Sequence, residues 1–176
     1  MSITTEERNR RFWAYMDMYD VGYAKLVKTL SQEFGTVFYV ETTGDGCMAI
    51  MATLEGYGLM ITDAEDTLSP MQQRKKARKE GRSHGYAVGV YPIAVCDGKH
   101  WDSTTRTFID GEPCGRPEHG GFGPEAVGWA SCPQADTAPQ LIQLIKLAIR
   151  SVGTSGADGP ELVTDIDPAL LTESSR

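Results

Sequence analysis

Residues 36–63, TVFYVETTGDGCMAIMATLEGYGLMITD, constrain the fold more than any other stretch, because two glycine-bearing turns separate three runs rich in β-branched and aromatic residues. Gly44-Asp45-Gly46 and Gly56-Tyr57-Gly58 stand where hairpins need residues that tolerate positive φ. The pattern predicts strands over 36–42, 47–54 and 58–63, and GYAVGVYPIAV adds two more over 86–91 and 93–96. These make an antiparallel meander of four to five strands. In the second run Met48, Ile50, Ala52 and Leu54 share one face while Cys47, Ala49, Met51 and Thr53 share the other, so both faces are expected to be at least partly covered.

A helix is expected on either side of this sheet. Thr4 with Glu7 has the spacing of a capping box, and Phe12, Met16, Tyr19, Tyr23, Leu26 and Leu30 recur every four and three residues, which is one helical stripe. The helix should run over 5–33, bending at Gly22 and ending at Gly35. Near the other end, Asp136 or Thr137 can cap a helix with Pro139 in its first turn. Its apolar residues, Leu141 to Val152, wrap most of the circumference. Such a helix is buried on two sides, by the sheet and by either the first helix or a second subunit, which gives a homodimer through the apolar helices as one expectation. The resulting fold class is α+β: a single domain over 1–152, then a flexible acidic tail over 153–176 in which VTDIDPALL is a candidate docking segment.

Two segments do not fit simple periodicity. Between the third and fourth strands, Arg74, Lys75, Lys76, Arg78, Lys79 and Arg82 put six cations in nine residues, with Ala77 the only apolar residue among them. Ser69-Pro70 and Gly81 bracket this run as a short solvated helix or a mobile loop with almost nothing to bury. Residues 97–136 are irregular, rich in glycine and proline, with a hairpin expected over 107–113 turning at Asp110-Gly111. That excursion also carries Trp101, Phe108, Phe122 and Trp129.

A formal charge of −7 disfavours nucleic acid as a partner, and no apolar run reaches the ~20 residues that a membrane span needs. The charged N-terminus does not read as a signal peptide, so the expected location is the cytoplasm. Four scattered cysteines are expected as reduced thiols, with Cys47 buried as a small hydrophobe.

The sharpest chemical pattern is Cys96-x3-His100, then Cys114-x4-His119, then Cys132, since thiolate and imidazole are the ligands zinc prefers. The spacings match no standard zinc module. Cys114 with His119 and Asp110 or Glu118 could form a nucleophile, base and orienting acid, although nothing in the spacing selects that set. Asp63, Glu65 and Asp66 could hold a cation or act as acid and base, and a solvated strand end is the simpler expectation. Thr43-Gly44-Asp45-Gly46 links two strands and lacks the helix and Lys-Ser/Thr of a phosphate loop, so it reads as a turn.

TTGDGCMAIMATLEGYGLMITDAEDTLSP followed by GYAVGVY resembles small α+β proteins of actinobacteria and their bacteriophages, over about residues 42–91. The resemblance implies a setting, a phage-encoded protein in the host cytoplasm, and carries no activity with it. The sequence expectation is therefore a non-catalytic protein-binding module without a cofactor. Its surfaces would be Arg74, Lys75, Lys76, Arg78, Lys79, Arg82, Trp101, Phe108, Phe122 and Trp129, because aromatic and cationic side chains anchor interfaces. The alternatives are a zinc-binding protein or cysteine-dependent enzyme using Cys96, His100, Cys114, His119 and Cys132, and a structural component of an assembly.

Overall fold

The structure, a computed structural model, describes residues 4–94, 96–102, 105, 107–111, 121–153, 166–169 and 171, with the side chains of 100–102 and 108 outside the description. Helix α1, Thr5–Phe34, begins at Thr4, whose hydroxyl accepts the Glu7 N–H at 3.2 Å. The other half of the expected capping box is spent differently: the Glu7 carboxylate accepts from Arg10 and Arg11 on the next turn. Gly35 takes the left-handed conformation that closes the helix, at φ 65°.

Four strands follow the predicted meander: β1 Phe38–Gly44, β2 Cys47–Leu54, β3 Tyr57–Thr62 and β4 Tyr86–Pro92, with helix α2, Met71–Lys79, inserted between β3 and β4. Hairpin β5 Lys99–Asp102 and β6 Thr107–Asp110 is a separate two-stranded sheet. Strand β7, Gly128–Cys132, joins the main sheet, and helix α3, Ala138–Arg150, follows. The five strands are antiparallel in the order β1-β2-β3-β4-β7, so the fold is α+β as expected.

Three local expectations are corrected. The second turn is Glu55-Gly56, both at positive φ, whereas Gly58 lies within β3, where a side chain is excluded because a Cβ would stand 2.2 Å from the Phe122 ring. The stretch expected as a strand over 93–96 supplies one bridge, Ile93 to Phe122, and the fifth strand is β7. Its Gly128 is required by packing: a Cβ would meet the Ala148 carbonyl of α3 at 2.6 Å. In the excursion the hairpin turns before residue 107, and Gly111 instead donates its N–H to the Gly98 carbonyl at 2.8 Å, tying the open end shut.

Register assigns the faces. Phe38 and Val40, Met48, Ile50 and Ala52, Leu59 and Ile61, Val88 and Val90, and Ala130 and Cys132 line the side covered by the helices. From α1, Met16, Tyr19, Tyr23 and Leu30 enter this core, and from α3, Leu141, Leu144, Ile145 and Ala148. Phe12, at the head of the expected stripe, stays 37% exposed. Leu171 is buried and Ile166 half-buried against the same core, so these two residues of VTDIDPALL lie on the body.

The opposite face presents Tyr39, Met51, Met60, Tyr91 and Trp129, all incompletely buried. Cys47, at the start of β2, is exposed there rather than buried. Strand β1 is a sheet edge, and side chains cap two of its amides: Ser31 Oγ accepts the Phe38 N–H and the Glu41 carboxylate accepts the Thr42 N–H, each at 3.0 Å. Capped amides are poor templates for a further strand.

Candidate functional site

Helix α2 has little apolar surface to bury, and its position is fixed by a charge. Arg74 is 2% exposed. Its guanidinium donates to the Asp63 carboxylate just beyond β3, to the Gly85 carbonyl at 2.9 Å just before β4, and to Asp136 Oδ1 at 3.2 Å just before α3. The same group lies 3.8 Å from the Tyr86 ring centroid, a cation–π contact. The planar fork of arginine suits this task, since it meets several acceptors at once where an ammonium would act as a point charge. Arg78 extends the network from the rim, donating to Asp136 Oδ2 at 3.0 Å and to the Asp136 carbonyl.

A row of tyrosines ties the entry of α2 to α1. Tyr19 donates to the Leu68 carbonyl at 2.8 Å, Tyr23 donates to the Ser69 carbonyl, and their rings stack at 6.1 Å. Burial pushes the Tyr23 phenol far above its ordinary range, with nearby Arg74 opposing, and burial raises Tyr86 in the same way. Gly22 completes the contact. It admits α2, because its Cβ position lies 3.1 Å from Cβ of Met71.

Ser69, His84 and Asp63 come together beside Arg74 and invite comparison with a serine hydrolase relay. His84 Nδ1 lies 3.1 Å from Ser69 Oγ and 3.0 Å from Asp63 Oδ2. A relay needs the hydroxyl and the carboxylate on opposite ring nitrogens. Here both address the same nitrogen, so there is no path for a proton from serine through the ring to aspartate. Among the described residues no buried side-chain nitrogen or oxygen lacks a partner, which is the condition of a structural network.

The network revises the sequence reading of its members. Arg74, expected on a partner-binding surface, is buried and committed to Asp63, Gly85 and Asp136, so it is not available to a partner. Asp63, expected in a solvated acidic cluster, is that arginine's counter-ion and is 3% exposed, while Glu65 and Asp66 are exposed. Lys75, Lys76, Lys79 and Arg82 are exposed, Arg82 pairing with Glu80. The helical repeat puts Gln72, Lys75, Lys76 and Lys79 on the side of α2 opposite Arg74 and Ala77.

Two of the expected aromatic residues, Phe122 and Trp129, do not join this surface. Trp129 and Phe122 lie on the other face of the sheet, Trp129 against Gly89 and Phe122 over Gly58 and stacked on Tyr91 at 6.0 Å. The side chains of Trp101 and Phe108 are outside the description. Of the cysteine and histidine set, Cys114 and His119 lie outside the described residues, and His100 is described by its backbone, opposite Ile109. Cys96 is buried and accepts the Gly98 N–H at 3.4 Å; Cys132 is buried beside the Ile166 carbonyl at 3.6 Å. Among the described residues no three His, Cys, Asp or Glu side chains are grouped to hold a metal, and no helix is long and apolar enough to cross a membrane.

The acid partners of Arg74 were hidden from sequence reading. They lie 11 and 62 residues away along the chain, and the only local hint is an arginine at the position where an amphipathic helix would place its buried residue. Comparison of the chain with protein-family models, with curated proteins and with solved structures gives no match.

Proposed function

We propose that the protein is a non-catalytic binding module that engages an acidic surface of another protein through the outer side of α2, in the cytoplasmic setting of a phage-encoded modulator of a host protein that the sequence resemblance implies. One observation carries the reading. Arg74 anchors α2 from inside, so Lys75, Lys76 and Lys79 stand on a fixed element with their charges outward. On a chain of net charge −7 this local excess of positive charge is opposite in sign to the whole, which favours steering by an acidic partner over general attraction to nucleic acid.

The test is charge reversal at Lys76, Lys79 and Arg82, followed by capture from host lysate at low and high salt and comparison of the captured proteins. The expected result is loss of a salt-sensitive partner with an unchanged melting temperature. An unchanged captured set would remove α2 as the binding surface.

A further inference from the structure

Helix α1 carries a second stripe, opposite the one that enters the core. Arg11, Ala14, Met18, Val21, Lys25 and Lys28 recur every three and four residues, and all six are exposed, Val21 by 80%. The middle of this stripe is apolar and both ends are cationic. Alongside it Pro70 and Met71 enter α2, brought close by Gly22, so Ala14, Met18 and Val21 in the middle of the stripe form one wall of a groove of about 370 Å³, and the cations Arg11, Lys25 and Lys28 lie beyond its ends. Pro70 and Met71 form the other wall, and Lys75 follows Met71 by one turn of α2, outside the lining. Asp17 and Gln72 complete the lining.

We propose that this groove binds an amphipathic helix of a partner protein whose central residues are apolar and whose ends are acidic. The inference rests on the reading of the protein as a binding module and names what one of its surfaces accepts. An apolar floor of Ala14, Met18, Val21 and Met71 spans about two turns, roughly 10 Å, and the whole stripe from Arg11 to Lys28 roughly 26 Å, the length of a helix of about 17 residues. Acidic residues near the ends of such a helix meet Lys25, Lys28 and Lys75, none of which is engaged in an ion pair among the described residues. Arg11 offers a further cation, shared with Glu7. Asp17 near the middle excludes an acid from the partner's centre, which adds register to the match.

A second copy of this chain fits the groove poorly. Antiparallel pairing centred on Met18 sets Arg11 of one copy opposite Lys25 of the other, and parallel pairing sets each cation beside its twin.

The experiment uses a fluorescein-labelled synthetic helix of about 17 residues with leucines spaced four and three in its centre and glutamates at its ends. One control scrambles the leucine spacing, and another replaces glutamate by lysine. The expected result is binding at least about tenfold tighter than either control, weakening with added salt, with the largest NMR shifts at Ala14, Met18, Val21 and Met71. Val21→Glu should remove at least about that tenfold while leaving the melting curve in place, since the side chain lies in solvent. Equal binding of the scrambled peptide, or shifts centred on Tyr39, Met51 and Met60, would overturn the proposal. So would a dimer of the protein alone that Val21→Glu dissociates. Lysate capture that survives reversal of Lys76, Lys79 and Arg82, together with peptide binding that Val21→Glu abolishes, rejects the α2 surface and keeps the groove. The reverse pattern rejects the groove and keeps the α2 surface.

Discussion

Helices α2 and α3 are held on the same body by opposite chemistry. Helix α3 buries Leu141, Leu144, Ile145 and Ala148 and is capped by Thr137 and Gln140, each accepting from the other's backbone. Its attachment is spread over many contacts. Helix α2 buries Arg74 and Ala77, has no side-chain cap, and is held chiefly by polar contacts, the most buried of them one guanidinium that joins three separate segments of chain. Apolar packing tolerates the loss of one member in proportion to the volume removed. A buried ion network does not, because each partner left behind carries an uncompensated charge. The difference also sets what faces outward: α3 is half-buried even on its outer residues Ile142, Leu147 and Ile149, whereas α2 leaves its lysines in water.

The largest effect expected from this contrast is at Arg74. Arg74→Ala leaves Asp63 buried beside His84 without its cation, and should cost about 3–5 kcal/mol of unfolding free energy by denaturant titration. Leu144→Ala, in α3, should cost about 2–5 kcal/mol, with the value set by how far the cavity collapses. Their structural consequences separate them further. Hydrogen exchange should accelerate across α2 in the first variant and across α3 and β7 in the second; acceleration of α3 in both would mean that the two attachments are not independent.

How much of this was legible in sequence follows the same division. Helix α1, strands β1 to β4 and helix α3 bury apolar residues at their own period, so pattern found them to within a few residues. Strand β7 was missed because its inward residues, Gly128, Ala130 and Cys132, are small to let α3 approach, and small residues give no hydrophobic alternation. The attachment of α2 was missed for a deeper reason: an arginine in sequence reads as a solvent residue, and burial becomes affordable only when Asp63 and Asp136 arrive from distant parts of the chain. The groove on α1 was not read from sequence, because Ala14, Met18 and Val21 fall outside the stripe that enters the core and the wall supplied by Met71 belongs to another element.

Alkaline pH probes the tyrosines that brace α2. Tyr23 and Tyr86 have phenol pKa values raised by burial, whereas an unfolded chain ionises them near 10. Above that pH the unfolded chain binds fewer protons than the native one, so stability present below about pH 10 is lost as pH rises, by at most about 1.4 kcal/mol per pH unit for each phenol. Tyr23→Phe should remove one such contribution and flatten the slope of stability between roughly pH 10 and 11, at the expense of about 1 kcal/mol near neutrality from the lost hydrogen bond to Ser69. A slope equal to that of the parent would mean that Tyr23 ionises in the native state.

The smallest effect expected is the most pointed for the comparison. Replacing Lys75, Lys76 and Lys79 together by alanine takes the formal charge from −7 to −10 and touches no buried contact. Alanine is a slightly better helix former than lysine, and the added net charge opposes it weakly through self-repulsion. The two should nearly cancel, leaving stability within about 0.5 kcal/mol of the parent by thermal or urea unfolding. If the triple variant loses more than about 1 kcal/mol, the outer side of α2 helps to hold the helix, and attachment from the inner side only is wrong. If stability is kept, the lysines contribute nothing measurable to the fold, and α2 is held from its inner side, where Arg74 meets Asp63, Gly85 and Asp136.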